Sequence, residues 1–266
     1  MISRALIEHG PTGTVRRAAY AHVLGDGQVD WLTADARLGC DVAIDLEDPE
    51  ATPSDLLDRL GDSEALIVSG APLPPGPGAA ALAAWPDLLS GPVAAMSADL
   101  GSLGRRTMTK AIVVAEAPGL GPPAWQASLA LTALGGRLRR IAARRQPCGA
   151  GFQAIYGIGR FHDGSIAYVE AAAGAPAGAE LRFYEALGRG GIREYDSRLD
   201  INRVTSRGRA TELPATHVHP YARFVADICR ADESAPPAQL APVLADAQAA
   251  YHALVRACDS GSAVTI

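Results

Sequence analysis

The 266-residue sequence predicts a parallel, doubly wound α/β unit followed by a mixed, largely antiparallel open sheet, that is, α/β plus α+β within one chain. Three observations predict it. Apolar runs alternate with helical patterns over the first 115 residues. Six short extended runs separated by turns then crowd between 138 and 205. Two amphipathic helical stretches, 221–230 and 242–260, follow them.

The first element is an apolar strand from Ile2 to Ile7 that runs into Glu8-His9-Gly10-Pro11-Thr12-Gly13. A helix opens at Val15, and a second short strand, 29–35, ends on Asp35. This is the order of a Rossmann-like βαβ unit. Glycines tighten the first turn and let backbone N–H groups approach a pyrophosphate, and an acidic residue about 20 positions on meets the ribose hydroxyls. Gly10 and Gly13 fit the second and third glycines of that fingerprint, with Thr12 between them. Glu8 stands where the first glycine belongs and would repel phosphates. Gly10, Thr12, Gly13 and Asp35 are therefore the candidate cofactor-binding residues, for NAD or NADP. A carboxylate at position 35 favours NAD, because it repels a 2′-phosphate. The plain alternative is a structural strand-to-helix turn, with Arg16 and Arg17 as solvated helix residues.

A short strand over 41–44 comes next. Thr52-Pro53 then reads as the N-cap and first position of a helix that Gly61 ends. Residues 65–68 form a buried strand. The 70–78 loop, with four prolines and three glycines, leaves its carboxyl end, and a helix is expected over 79–89. Gly91-Pro92-Val93-Ala94-Ala95-Met96 reads as another strand, which puts Asp99 at a strand's carboxyl end. That makes Asp99 the best-placed catalytic carboxylate, with Lys110 as a neighbour for substrate. Residues 111–115 read as a strand, 118–123 as a linker and 125–134 as a helix. The domains are set at 1–115 and 116–266.

In the second half the extended runs are 138–145, 151–161, 165–171, 180–185, 191–196 and 199–205. His162-Asp163-Gly164-Ser165 makes a hairpin signal. Gln153, Tyr156 and Arg160 are candidate substrate-binding residues on this sheet, and Tyr184, Tyr195 and Arg203 are similar. A polar sheet face suits a sugar-like ligand and equally an oligomer interface. His217 and His219 form the one close histidine pair. On an extended run H-x-H puts both rings on one face, the geometry of an acid/base pair. No carboxylate lies at suggestive spacing, so no metal is expected. The plain alternative is a loop pair ahead of a helix. Residues 261–266 read as an edge strand.

Composition bounds the rest. A formal net charge of −5 argues against nucleic-acid or acidic-membrane binding. The basic residues are arginines apart from Lys110, so lysine chemistry has one residue to use. Cys40, Cys148, Cys229 and Cys258 are far apart and include no C-x-x-C pair. Isolated thiols without a secretory signal or a long apolar run fit a reducing cytoplasm.

Phe161-His162-Asp163-Gly164-Ser165, Gly188 to Asp196 with its paired glycines, Phe224 to Ile228, Pro242 to Ala247 and the Ser260-Gly261 end resemble, in order and spacing, the C-terminal part of the glucose–fructose oxidoreductase / inositol dehydrogenase / MocA (Gfo/Idh/MocA) family. The resemblance implies an NAD(P)-dependent oxidoreductase acting on a small polar molecule such as a sugar, cyclitol or biosynthetic intermediate. It also implies a homo-oligomer formed through the C-terminal sheet. The chain departs from the family where chemistry lies. Gly91 to Met96 matches the lead-in to a Glu-Lys-Pro motif, but Ser97, Ala98 and Asp99 stand in its place, and 144–152 carries neither residue of an Asp-x-x-x-His segment. The departures leave two alternatives. One is a non-redox pseudoenzyme or partner subunit, for example in a hetero-oligomer with an intact relative. The other is a lyase, isomerase or cyclase using the old pocket.

Overall fold

The computed structural model describes residues 5–9, 30–32, 42–46, 66–69, 81–82, 92–149, 151–199, 201–213 and 236–266. The chain divides into two compact units, Met1–Ser90 with His217–Pro242, and Gly91–Thr216 with Val243–Ile266.

The first unit holds five parallel strands, β1 (Ala5–His9), β2 (Asp30–Leu32), β3 (Val42–Leu46), β4 (Leu66–Ser69) and β5 (Ala81–Leu82), in the order β2-β1-β3-β4-β5. Short runs such as Val-Ala-Ile-Asp-Leu and Leu-Ile-Val-Ser suit the middle of a parallel sheet. Ala81 and Leu82 pair with β4, so at these two positions a strand replaces the helix expected over 79–89. The run is short, apolar and set close to prolines, which favours an extended edge over a helix turn. The helices expected after Gly13, over 52–61 and over 221–230 lie outside the described residues.

The second unit opens with a helix, α1 (Pro92–Ala98), where the sequence reads as a strand. The reason is local. Pro92 is pre-organised for a first helical position, alanines follow, and Val93 and Met96, three apart, are both buried. A 3-10 turn, Leu100–Leu103, leads into β6 (Arg106–Val114). Helix α2 (Gly121–Gly135) takes in the end of the expected linker, because Pro122 and Pro123 sit in its first turn, where a missing N–H costs nothing. Then come β7 (Leu138–Gly149), β8 (Phe152–Phe161), β9 (Ile166–Ala173), β10 (Leu181–Gly188), β11 (Gly191–Asp196), β12 (Ile201–Ser206), β13 (Arg209–Leu213), α3 (Pro236–Ser260) and β14 (Val264–Thr265).

These nine strands form one sheet, β13-β12-β11-β10-β6-β9-β8-β7-β14, in which β6 and β9 are parallel and every other neighbouring pair is antiparallel. The expected mixed, largely antiparallel sheet is thus the observed one. Strand β6, placed by sequence in the first domain, lies at its centre, so the observed division does not coincide with a boundary at 115/116. The β12–β13 hairpin turns on Arg207 and Gly208, both at positive φ (50° and 76°).

One face of this sheet is covered and the other is open. On β6, Thr109, Ala111 and Val113 are buried under α2, while Met108, Lys110 and Ile112 face the other way and are half-buried. On β8 the same alternation leaves Tyr156, Ile158 and Arg160 exposed. Helix α2 buries Trp125, Leu129, Leu131 and Leu134, and its Ser128 and Thr132 hydroxyls donate to Ala124 and Ser128 carbonyls one turn back. Leu254 of α3 lies over Gly157 of β8, where a Cβ would stand 2.7 Å from Val169 Cγ1. Trp125 and Tyr251 meet edge to face at 6.0 Å.

Candidate functional site

In the first unit the strand order itself marks a place. β1 lies between β2 and β3, its two successors in sequence, so the chain leaves β1 to one side and returns on the other. In an open parallel sheet that reversal opens a crevice at the strands' carboxyl ends, and ligands bind there. The ends that flank it are His9 and Leu46, paired in register, with Ser69 of β4 next to Leu46. β1 runs two residues further than the sequence reading gives it. Glu8 is therefore inside the strand, in register with Asp45, and Gly10 comes next in sequence after its last described residue, His9. Asp35 follows the end of β2 by three positions. Gly10, Thr12, Gly13, Asp35, His217 and His219 themselves lie outside the described residues.

In the second unit, Asp99 does not stand at a strand end. It precedes the 3-10 turn, and its carboxylate pairs with the guanidinium of Arg193 on β11. Arg193 is 4% exposed, on the covered face, and also donates to the Ser102 hydroxyl (3.1 Å). Burial pushes its pKa down from the usual guanidinium value. A cation buried this far needs a partner, and Asp99 supplies it.

Lys110 lies on the opposite, open face, so the structure does not bring it together with Asp99. Its ammonium sits 5.0 Å from the Phe183 ring centroid and 5.6 Å from that of Tyr168, within cation–π reach of both. The register sets Lys110 between Tyr168 on β9 and Glu185 on β10, then Glu194 on β11, Arg203 on β12 and Glu212 on β13. Arg203 donates to Glu194 Oε1 at 2.6 Å. Burial raises the Glu185 carboxyl and the charge of Glu194 adds to that, while Lys110 pulls the other way.

Tyr156 and Arg160 share this open face, but Gln153, three residues from Tyr156, alternates to the other. Tyr168 donates its hydroxyl to Glu170 (3.2 Å), and burial together with the Glu170 charge raises both the Tyr168 and the Tyr156 phenols. Neither phenol is then a base at neutral pH. Tyr184 is buried and stacks on Tyr195 (5.7 Å) on the covered side.

Sequence reading also missed a cleft of about 320 Å³ at the sheet's edge, lined by Arg105, Arg106, Arg160 and Arg189 with Asp163. Its residues come from three separate stretches of chain, so no spacing signals them. No helix among the described residues is long and apolar enough to cross a membrane.

No family model and no curated protein sequence matches the chain. Solved structures do. An NAD binding oxidoreductase from Klebsiella pneumoniae superposes with a TM-score of 0.74 at 14% identity, over 100% of this chain and 99% of the other. An oxidoreductase from Agrobacterium radiobacter, in complex with NAD+, L-tartaric acid and magnesium, gives 0.72 at 14%, over 99% and 98%. Biliverdin reductase from Synechocystis, in complex with biliverdin and NADP+, gives 0.67 at 14%, over 96% and 98%. Over its whole length, then, the chain has the fold of NAD(P)-binding oxidoreductases, the fold that its resemblance to the Gfo/Idh/MocA family implies.

Proposed function

We propose that the protein is an NAD(P)-dependent oxidoreductase acting on a small polar molecule such as a sugar, cyclitol or biosynthetic intermediate. One observation carries this reading. The five-stranded parallel sheet reverses its strand order at β1, and Gly10-Pro11-Thr12-Gly13 follows the end of β1 directly. Backbone N–H groups of such a turn suit a pyrophosphate, and Thr12 adds a hydroxyl. Asp35, soon after β2, suits the ribose hydroxyls and favours NAD over NADP.

A bound nicotinamide would supply the hydride acceptor. The substrate's C–H bond gives up the hydride, its O–H gives up a proton, and a carbonyl forms. The protein's part is to hold the alcohol and take that proton. His217 and His219 are the residues proposed for it, since a histidine is half-neutral near pH 6.5. Asp99 is held by Arg193 and is assigned a positioning role instead. The open face of the nine-stranded sheet, where Lys110 and Tyr156 stand, is proposed as a homo-oligomer interface. Its row of alternating charges between apolar and aromatic residues supports this.

Turnover tests the reading. The purified protein, incubated with NAD or NADP and a panel of sugars and cyclitols, is expected to reduce the nicotinamide with at least one of them. Replacing the acting histidine, His217→Ala or His219→Ala, should lower kcat by about 10²–10⁴. A second reading, a non-redox protein that kept the fold, has Glu8 in its favour: it lies inside β1 opposite Asp45, in the place of the first glycine. Absence of turnover together with absence of dinucleotide binding would establish that reading.

A further inference from the structure

Four guanidinium groups line the cleft at the edge of the second sheet. Arg105 and Arg106 enter β6, Arg160 is the last residue but one of β8, and Arg189 occupies the β10–β11 turn. The chain as a whole is acidic, so this concentration of positive charge in a concave site stands apart. The single lining carboxylate is already spent. Asp163 Oδ1 accepts from the Ser165 N–H (2.9 Å) and hydroxyl (2.5 Å), and Oδ2 accepts from Arg106 (3.1 Å). Burial alone would raise this carboxyl, but those hydrogen bonds and the Arg106 charge outweigh it and hold it below the ordinary value. It therefore stays ionised and bound to Arg106 at neutral pH.

Two of the arginines are fixed and two are available. Arg106 also donates to the Leu134 carbonyl (2.7 Å), and Arg160 donates to the Gly164 carbonyl (2.9 Å). The side chains of Arg105 and Arg189 make no hydrogen bond or ion pair among the described residues. Their backbones are nevertheless joined, because the Arg189 N–H donates to the Arg105 carbonyl (3.1 Å) and the Gly190 N–H to the Leu103 carbonyl (2.9 Å). Two guanidiniums without a partner among the described residues thus sit on backbones joined by a hydrogen bond, and they line the same cleft as Arg106 and Arg160.

We propose that this cleft binds the phosphoryl group of a small phosphorylated molecule. A carboxylate offers two oxygens and is satisfied by one guanidinium fork. A phosphoryl group offers three oxygens and up to two charges, and so can use several forks at once. A volume of about 320 Å³ lies at the lower end of small-molecule sites, enough for a phosphate and a compact organic residue. The site lies wholly within the second unit and does not depend on a dinucleotide in the first.

Calorimetric titration of the full chain with inorganic phosphate and inorganic pyrophosphate tests the proposal. It is run at low salt on the wild type, Arg105→Gln/Arg189→Gln, Arg207→Gln/Arg209→Gln and Gly13→Trp. The wild type should saturate, with pyrophosphate tighter. Arg105→Gln/Arg189→Gln should bind about tenfold or more weakly while melting at the wild-type temperature. The arginine pair on the β12–β13 hairpin should leave binding unchanged, and the component of binding that Arg105→Gln/Arg189→Gln removes should persist in Gly13→Trp, whatever a pyrophosphate does at the first unit's turn. Three results would overturn the proposal: no saturation by on the order of 10 mM ligand, equal weakening in both double variants, or loss in Gly13→Trp with none in Arg105→Gln/Arg189→Gln.

Discussion

The two sheets are built from opposite strand arrangements, and they offer ligands opposite things. In the five-stranded sheet all strands run one way, so every carboxyl end lies on one edge and topology alone selects a place, the reversal at β1. In the nine-stranded sheet direction alternates everywhere except between β6 and β9, so no edge collects strand ends of one kind. What it has instead is two faces. Small residues such as Ala111, Gly157, Ala167 and Ala186 meet helices on one, and charges interleaved with rings lie on the other. A parallel sheet puts chemistry at an edge. An antiparallel sheet puts it on a face or in the hairpins at its rim, where the arginine cleft lies.

The sharpest way to break that contrast is through the covered face. Trp125, 1% exposed, should destabilise the second unit by about 3–5 kcal/mol when replaced by alanine, whereas Ile158→Ala, 62% exposed on the open face, should cost under about 0.5 kcal/mol. Denaturant titration of both variants, at protein concentrations where the chain is monomeric, measures it. Equal losses would mean that the open face is packed too.

The open face is probed next by Lys110→Glu, which adds a carboxylate beside Glu185 and Glu194. If this face joins subunits, sedimentation should show self-association weakened about tenfold, or about 1.4 kcal/mol. An unchanged sedimentation profile would remove the face from the interface.

The smallest effect is electrostatic. Burial raises Glu185, so the folded state holds its proton more tightly than the unfolded chain and loses stability as pH rises past the ordinary value near 4.3. Glu185→Gln should therefore raise Tm at neutral pH, with the gain fading below about pH 4. A gain that persists at low pH would assign it to packing instead.

Local signals were legible in the sequence. The His162–Ser165 hairpin forms as read, with Gly164 at a φ of 84° and Asp163 accepting from Ser165. The strands of the second sheet fall within a few residues of their expected positions because turn residues bound them. Pro92–Ala98 was not legible. A short apolar run fits either a buried strand or a helix, and only the packing of Val93 and Met96 decides it. β13 carries no Asn-Gly or Asp-Gly signal, only Arg207-Gly208. Two groupings expected from the sequence are not the observed ones. Positions 153 and 156 differ by an odd number and so lie on opposite faces of β8, and Asp99, in the turn ahead of β6, pairs with Arg193 on the covered face while Lys110 lies on the open one. The arginine cleft could not be read at all, since positions 105, 160 and 189 meet only through strand pairing.

The carboxyl edge at β1 is the proposed dinucleotide site. Calorimetric titration with NAD, NADH, NADP and NADPH tests it most directly. Micromolar binding of at least one, abolished in Gly13→Trp and unaltered in Lys110→Glu, is the predicted result. No heat from any of the four at millimolar concentration, or binding that Gly13→Trp leaves intact, would contradict it.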